Sequence, residues 1–310
     1  MVNETKVLEF LLLGFSDIPE HQTLLFVLFL SLYLITILGN SLIILVIAFN
    51  RCLHTPMYFF LGNLSLVDTC LSSVTIPRLL RDLLSEQKTI SLPACIVQVY
   101  FFFFVGIMEV FLLAVMAFDR YVAISDPLRY SLVMSQKLCL GLVAGSWVVA
   151  ALHSTMHSLL LLRLSFCGSI TIQHFLCDIP PLLKLSCSDT SLNESVMFSE
   201  ATLLVMGSFL FIVLSYFRII SAILKIRSAQ GRSKAFSTCS SHLTVVVFFY
   251  GTGMFTYFRP SSSSSLDYDR AVSTVYSSVT PMINPFIYSL RNDEVKGALS
   301  KLLRSCQLSH

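Results

Sequence analysis

Residues 24–49 read LLFVLFLSLYLITILGNSLIILVIAF, and none of these side chains carries a charge. A helix needs about 20 mostly apolar residues to cross the hydrocarbon core of a bilayer. This stretch is therefore long enough to span a membrane and too long for the apolar region of a signal peptide. The residues before it contain one Lys, Lys6, and no Arg, which also disfavours a cleaved leader. We predict that the stretch is the first of several membrane spans.

Apolar segments of similar length recur along the rest of the chain. A composition of 55% hydrophobic and 13% charged residues, with a mean hydropathy of +0.76, is typical of a membrane protein and excludes a disordered chain. A net charge of +3 over 310 residues also disfavours a nucleic-acid binder. Short connections predict one all-α bundle of seven transmembrane helices over residues 1–310. The six further spans are residues 57–80, 96–118, 138–162, 196–217, 236–258 and 271–290.

Positive charge is distributed unevenly between the two sides of the predicted bundle. Most of the 21 Lys and Arg residues fall on the side that carries the tail, residues 291–310. The positive-inside rule places that tail in the cytoplasm and residues 1–23 outside the cell. Two sequons, at Asn3 and Asn193, fall on the predicted outer side and are candidate glycosylation sites. Apolar residues at helical spacing from Val295 onward predict a short interfacial helix in the tail.

Four of the nine cysteines also fall on the predicted outer side. Cys95 stands at the start of the third span, and Cys167, Cys177 and Cys187 lie in the loop before the fifth span. That side faces an oxidising compartment, in which disulfides persist. Four cysteines allow three pairings, and the residues alone do not select one of them.

Two acidic residues lie in the middle of predicted spans, where an ionisable group is expensive and functional by default. Asp68 is in the second span and Glu109 in the third, at similar depth. We favour a shared sodium ion or proton over the alternative, two neutral carboxyls that are hydrogen-bonded to polar neighbours. The notion of a transition-metal site has less support: His153 and His157 are spaced i, i+4, but only the distant His174 offers a third ligand. We therefore interpret these histidines as hydrogen-bonded and predict no metal beyond the possible sodium ion.

Several longer strings narrow the identity of the bundle. The third span ends in Asp-Arg-Tyr, within MAFDRYVAI (116–124), and the seventh contains Asn-Pro-x-x-Tyr, within PMINPFIYSLRN (281–292). With LHTPMYFFLGNLSLVD (53–68) and KAFSTCSSHL (234–243), these motifs resemble the olfactory receptors of class II, the tetrapod type, within the rhodopsin-like G-protein-coupled receptors. Phe118 departs from the family, which usually has Tyr before Asp-Arg-Tyr.

The resemblance implies roles for matching residues. Arg120 would be held by Asp119 in the inactive receptor, and Asp68 with Glu109 would form the sodium site. Cys95 would pair with Cys177, and Cys167 with Cys187. From the residues alone, snorkelling of Arg120 toward lipid headgroups is the better interpretation, whereas Pro285 predicts a kink in the seventh span. The residues of the implied activation switch are Asp119, Arg120, Tyr121, Tyr216, Asn284, Pro285 and Tyr288.

A ligand pocket is expected between the third, fifth, sixth and seventh spans, in their outer halves. Helical spacing groups its candidate residues on common faces, and the resemblance places Tyr250 at its floor. For Phe102 and Phe103, plain core packing is an equally good interpretation, and for Glu200 a solvated rim is the better one. The candidates are Phe102, Phe103, Gly106, Ile107, Glu200, Ala201, Leu204, Tyr250, Gly253, Tyr257 and Ser277.

The resemblance implies an odorant receptor and not an enzyme. It would bind a small volatile organic ligand, activate a stimulatory heterotrimeric G protein and raise cAMP, in the ciliary plasma membrane of olfactory neurons. Membrane lipid is a further partner, whereas a cofactor or nucleic acid is not expected. The alternatives are a non-olfactory rhodopsin-like receptor or, in another class, an ion-coupled transporter or channel. A retinal protein is excluded because residues 271–290 contain no lysine.

Overall fold

A computed structural model describes residues 9–15, 21–167, 169–257, 266–290 and 295–298. Helices dominate this part of the chain, as the predicted fold class requires. They are α1 (Gln22–Phe49), α2 (Pro56–Leu84), α3 (Leu92–Ser125), α4 (Tyr130–Val133), α5 (Gln136–Leu162), α6 (Ile179–Lys184), α7 (Ser191–Glu200), α8 (Gly207–Ile223), α9 (Ala229–Tyr257), α10 (Leu266–Thr274) and α11 (Thr280–Leu290).

Five helical stretches among the described residues are long and apolar enough to cross a membrane: α1, α2, α3, α5 and Ser191–Ile223. The last of these joins α7 to α8 through a π-helical turn, Ala201–Met206. A second π-helical turn, Val275–Val279, joins α10 to α11. Helical periodicity at 3.6 residues per turn does not predict such turns, which rotate the helix that follows them.

Polar side chains and prolines fix where the long helices begin. The Ser91 hydroxyl accepts a hydrogen bond from the amide of Ala94 at 3.4 Å, which caps the start of α3. Ser135 caps α5 in the same way through the amide of Leu138. Pro56 occupies the first turn of α2, where its missing N–H costs no helical bond. These caps place each helix start within a few residues of the predicted span.

A small sheet covers one end of the bundle, which is called the sheet end below. Its strands are β1 (Glu9–Leu12), β2 (Thr89–Ser91) and β3 (Thr171–Ile172), in the order β2-β1-β3. Strand β1 pairs antiparallel with β2 and parallel with β3. Phe10 and Leu12 of β1 are buried in a hydrophobic cluster, so this strand is part of the packed structure. No pattern in the sequence predicts this sheet.

Apolar side chains fill the bundle and also cover its outside. One continuous core runs between the long helices, with Leu64, Met108 and Leu113 fully buried. On the outer surface, Leu38, Leu203 and Phe217 are each at least 68% exposed. Exposed apolar residues of this kind are stable in contact with lipid, which agrees with a membrane-embedded bundle.

The packing of α1 against α11 depends on one glycine. A Cβ atom on Gly39 would lie 3.2 Å from Cβ of Pro285, so a side chain there would push the helices apart. The neighbouring Asn40 donates to the carbonyl of Pro281 at 3.2 Å. After α11, residues 295–298 are helical, with Val295 and Ala298 buried against the bundle. The rest of the predicted interfacial helix, residues 299–310, lies outside the described part of the chain.

Candidate functional site

An aromatic cluster lies between α3, α9 and the π-helical turn of the seventh span. Phe102 and Tyr276 meet edge to face with ring centroids 5.8 Å apart, and Phe249 lies 5.6 Å from Tyr276. Tyr250 contacts Phe249 at 5.2 Å and Phe209 of α8 at 5.1 Å. The structure therefore brings Phe102 and Tyr250 into one cluster across three spans.

Tyr276 is a member of this cluster that was not predicted from the sequence. The predicted residue was its neighbour Ser277, but the Ser277 hydroxyl donates to the carbonyl of Ser273 in its own helix. Because the π-helical turn alters the register, Tyr276 faces α3. A Cβ atom on Gly106 would lie 2.9 Å from the Tyr276 hydroxyl oxygen, so this glycine makes room for the tyrosine. A π-helical turn has no simple sequence signal, which explains the omission.

The other pocket candidates are distributed around the cluster. Ile107 is buried in the main core, and Leu204 packs against that core from the π-helical turn that Ala201 begins. At Gly253, an added Cβ atom would meet no described atom within 4 Å. The side chain of Tyr257 lies outside the described part of the structure.

A polar triad lies beside this cluster, between α5 and α7. Nε2 of His157 lies 2.6 Å from Oε2 of Glu200, and Nε2 of His153 lies 2.9 Å from the same oxygen. Phe103 packs on both imidazole rings, at centroid distances of 6.3 Å from His153 and 5.7 Å from His157. The interpretation of Glu200 as a solvated rim residue is therefore wrong, because its side chain is only 22% exposed and is hydrogen-bonded.

His174 does not approach this triad. It lies in the loop before α6, where Nε2 is 3.2 Å from the Ser273 hydroxyl and its ring stacks on Phe175. Burial is the larger cause and the positive charge of Arg270 the smaller one, and together they lower the pKa of His174 to about 4. The third partner of the two α5 histidines is instead Glu200, which comes from another span. Such a contact across the bundle cannot be seen in the spacing of residues along the chain.

The two acidic residues in mid-span lie deep in the bundle. Asp68 accepts two hydrogen bonds from Nδ2 of Asn284, at 3.0 and 3.1 Å. Within the described part of the chain, neither carboxyl oxygen of Glu109 has a hydrogen-bond partner, and the same holds for the Ser72 hydroxyl. Both carboxyls are fully buried. Their unused oxygen ligands suit a small hard cation or a proton.

The opposite end of the bundle, the Arg120 end, carries the Asp-Arg-Tyr motif. Asp119 accepts a hydrogen bond from the Tyr130 hydroxyl of α4 at 2.7 Å. Burial and the Asp119 carboxylate raise the pKa of Tyr130. The Arg120 guanidinium contacts Sδ of Met57, and the described residues contain no ion pair between Arg120 and Asp119. The partner that the resemblance implied for Asp119 is thus replaced by Tyr130.

A hydrogen-bonded chain connects three helices near Arg120. The Tyr216 hydroxyl of α8 lies 2.8 Å from Nδ1 of His242 in α9. Nε2 of His242 lies 3.1 Å from the carbonyl oxygen of Leu113 in α3. Among the described residues, the buried Tyr288 hydroxyl has no hydrogen-bond partner. Tyr216 and Tyr288 were predicted as switch residues, but His242 was not, although it lies within the string KAFSTCSSHL.

Two disulfides cross-link the chain at the sheet end. Cys95 is bonded to Cys177, with an S–S distance of 2.06 Å, and Cys167 is bonded to Cys187. These are the two pairings that the resemblance implies. The amide of Cys177 also donates to Oε1 of Gln98 at 3.0 Å, which fixes the loop onto α3. Asn193 is only 5% exposed, which disfavours a glycan there, and Asn3 lies outside the described residues.

Comparison with known proteins assigns the family. Residues 29–306 match the olfactory receptor family. The chain is 54% identical to Olfactory receptor 1F1 of Homo sapiens over 301 residues, which cover 97% of this chain and 96% of the relative. It is 51% identical to Olfactory receptor 1E16 of Mus musculus over 309 residues, which cover 99% of this chain and 98% of the relative. The chain therefore belongs to the olfactory receptor family, whose members are odorant-sensing class A G-protein-coupled receptors with seven transmembrane helices and not enzymes.

Proposed function

We propose that this receptor detects a small, mostly apolar volatile odorant beside the aromatic cluster of α3, α9 and the seventh span. The observation that carries this proposal is the convergence of Phe102, Tyr250 and Tyr276 around Gly106. Small-ligand sites are lined mainly by apolar and aromatic side chains with a few polar groups. Here the tyrosine hydroxyls supply the polar groups, and the rings supply the apolar surface.

Helix α9 supplies a mechanical connection from this site to the Arg120 end. Tyr250 and His242 are eight residues apart on one helix, or about 12 Å at 1.5 Å per residue. A ligand that displaces Tyr250 therefore moves a rigid segment that also carries the hydrogen bond from His242 to Leu113. Odorant binding shifts the receptor toward an open state only if the odorant binds that state more tightly.

The open state receives a stimulatory G protein, and cAMP rises. Arg120 lies at this end of the bundle in α3, and Lys225, Arg227 and Arg232 lie in the connection from α8 and at the start of α9. These cations favour an acidic partner or an anionic lipid surface. Opening of α9 away from α3 would expose Arg120 to the C-terminal helix of the G-protein α subunit.

A sodium ion held by the mid-span acids would stabilise the closed state. The fit rests on the buried carboxyl oxygens of Glu109 and on the Ser72 hydroxyl, which have no partner among the described residues. Asp68, fixed by Asn284, would supply a further oxygen. Hard cations prefer such all-oxygen sites, and the negative charges offset the cost of placing a cation in a membrane.

In a ciliary plasma membrane, the sheet end faces outside the cell and the Arg120 end faces the cytoplasm. Two disulfides at the sheet end favour an oxidising compartment. The basic residues at the other end favour the cytoplasm. A glycan on Asn3 would agree with this orientation, whereas the burial of Asn193 argues against a glycan there.

A cAMP reporter tests the proposal. Cells that express this chain with the olfactory-type stimulatory G protein are screened against a broad odorant panel. We expect a dose-dependent cAMP response to at least one small apolar odorant, and we expect Arg120→Ala to abolish it at equal surface expression. A response that persists in Arg120→Ala would contradict the coupling role. A receptor that reaches the surface but responds only to large or charged ligands would contradict the ligand class.

A further inference from the structure

The triad of His153, His157 and Glu200 has no role in the odorant response as proposed above. The two histidines lie on one face of α5 because their spacing is i, i+4. Glu200 is the last residue of α7, so the triad connects two different spans. Both Nε2 atoms point at the same carboxylate oxygen, at 2.6 and 2.9 Å. The three side chains therefore converge on one point between the helices.

The triad lies inside the helix bundle, where burial of a polar side chain costs free energy. The side chains of His153 and His157 are 6% and 3% exposed, and that of Glu200 is 22% exposed. All three belong to helical stretches of membrane-spanning length, Gln136–Leu162 and Ser191–Ile223. Polar and ionisable groups at such positions are rare and mark functional sites. We therefore expect the triad to have a function.

The donor set is the one that zinc uses. Two imidazole nitrogens and one glutamate oxygen form a three-ligand tetrahedral site with a fourth position for water or another ligand. One ligand atom from each residue lies within 4.8 Å of the others, which is close enough for one ion to bridge all three after small side-chain rotations. Imidazole ligands favour Zn²⁺, Cu²⁺ and Ni²⁺ over Mg²⁺ and Ca²⁺. Bound through Nε2, each neutral imidazole carries its proton on Nδ1.

The surroundings hold the ligands in place. Phe103 packs on both imidazole rings, and the rings themselves lie 4.7 Å apart. Directly after Glu200, the helix changes to the π-helical turn Ala201–Met206. Such turns occur frequently at functional sites. The change of helix type begins at the one triad residue that comes from α7.

We propose that His153, His157 and Glu200 form a zinc site that joins α5 to α7. The fourth predicted span corresponds to α5, and the fifth corresponds to α7 and α8 together. A bound ion would fix the outer part of the fifth span against the fourth. Because Leu204 and Phe209 follow on the same span, zinc would also restrict the odorant site from one side. The site needs neither an odorant nor a G protein, so its test is independent of the proposed function.

Thermal unfolding of the purified full chain in detergent tests this site. We expect Zn²⁺, but not Mg²⁺, to raise the Tm of the wild type in a saturable way. His153→Ala, His157→Ala and Glu200→Gln should each weaken the apparent affinity more than about tenfold, since even outer-shell changes at metal sites cost about tenfold. His54→Ala, at an exposed histidine near the Arg120 end, is the matched control and should keep the full response.

A measurement on the wild type covers the case in which a variant fails to fold. Co²⁺ in a tetrahedral site with nitrogen and oxygen ligands absorbs visible light, and added Zn²⁺ should remove that absorption at one ion per chain. A Zn²⁺ response that is unchanged in His157→Ala would overturn the proposal. It would also be overturned if the response disappeared in His54→Ala, or if Zn²⁺ produced no saturable rise in Tm.

Discussion

The hydroxyl of Tyr216 donates a hydrogen bond to Nδ1 of His242 across the interface of α8 and α9, with 2.8 Å between the two atoms. The direction of this hydrogen bond follows from the partner of the other ring nitrogen, Nε2. Nε2 of His242 faces the carbonyl oxygen of Leu113, which can only accept, so Nε2 carries the proton. His242 is fully enclosed, with 1% of its surface exposed. One neutral imidazole thus ties α9 to both α3 and α8.

Loss of this imidazole should raise signalling without odorant. His242→Phe keeps an aromatic ring against Tyr216 but removes the bond to Leu113 that holds α9 against α3. A hydrogen bond is worth about 0.5–1.5 kcal/mol net, so the open state should gain roughly two- to tenfold in population. Basal cAMP, measured at equal surface expression, checks this expectation.

Thr244→Val is the matched control for His242→Phe. Thr244 lies two residues away on α9, and among the described residues its hydroxyl bonds only to the carbonyl of Ser240 in the same helix. Basal cAMP in Thr244→Val should therefore equal that of the wild type. A basal level in His242→Phe that stays at or below the wild-type value would show that the hydrogen-bonded chain does not hold the receptor closed.

A methyl group on Gly106 should impair odorant detection. In Gly106→Ala, the new Cβ atom would lie 2.9 Å from the Tyr276 hydroxyl oxygen, so the tyrosine side chain must shift and disturb its packing on Phe102 and Phe249. Overpacking of this kind costs about 1–3 kcal/mol, and we expect the EC50 of an identified agonist to rise roughly tenfold. Dose–response curves at equal surface expression measure the change.

Gly145→Ala provides the comparison for Gly106→Ala. Gly145 lies on α5, and an added Cβ atom there would meet no described atom within 4 Å. Its EC50 should match that of the wild type, because a helix surface gains a methyl group without displacing a neighbour. Equal EC50 values for Gly106→Ala and the wild type would place the odorant away from Tyr276.

The fold was predictable because its main determinant is local. An apolar run such as residues 24–49 must form a helix in lipid, where its backbone polar groups can bond only within the chain. The prediction missed strands β1, β2 and β3 because they are short and distant in sequence, and only the folded bundle brings them together. Both π-helical turns were missed for a related reason, since they follow from packing and not from composition.

Residues of the candidate site could be predicted where a motif or a polar residue in an apolar span marked them. They could not be predicted where they depend on contacts between different spans. Asp68 stood out because it places an ionisable group in an apolar span, and Tyr250 because the resemblance placed it at the floor of the pocket. Glu200 was placed at a solvated rim because its spacing on α7 contains no information about the histidines of α5. Tyr276 was missed because a π-helical turn shifts the face that it presents. Contacts between spans thus limit what a single sequence predicts.

Sodium should stabilise the receptor through its mid-span acids. Na⁺ at ten times its Kd should add about 1.4 kcal/mol of stability to the wild type, by mass action on the folded state. Asp68→Asn removes one charge and one ligand and should abolish the difference in Tm between Na⁺ and choline buffers. Asp82→Asn, which removes the ion pair with Arg78 outside the mid-span site, should retain that difference. Identical Na⁺ shifts in Asp68→Asn and the wild type would contradict a sodium site at this residue.

Mild acid should destabilise the sheet end through His174. Burial, and then the charge of Arg270, lower the pKa of His174 to about 4 in the folded protein, from an ordinary value near 6.5. Between these values the unfolded chain binds a proton that the folded chain does not, so stability is highest above pH 6.5 and falls as the pH drops toward 4. The full loss is roughly 3 kcal/mol at 1.36 kcal/mol per pKa unit. His174→Gln, which can still hydrogen-bond to Ser273 but does not titrate, should flatten the fall in Tm between pH 7 and pH 5. If wild type and His174→Gln lose equal Tm over this range, other groups control the acid response.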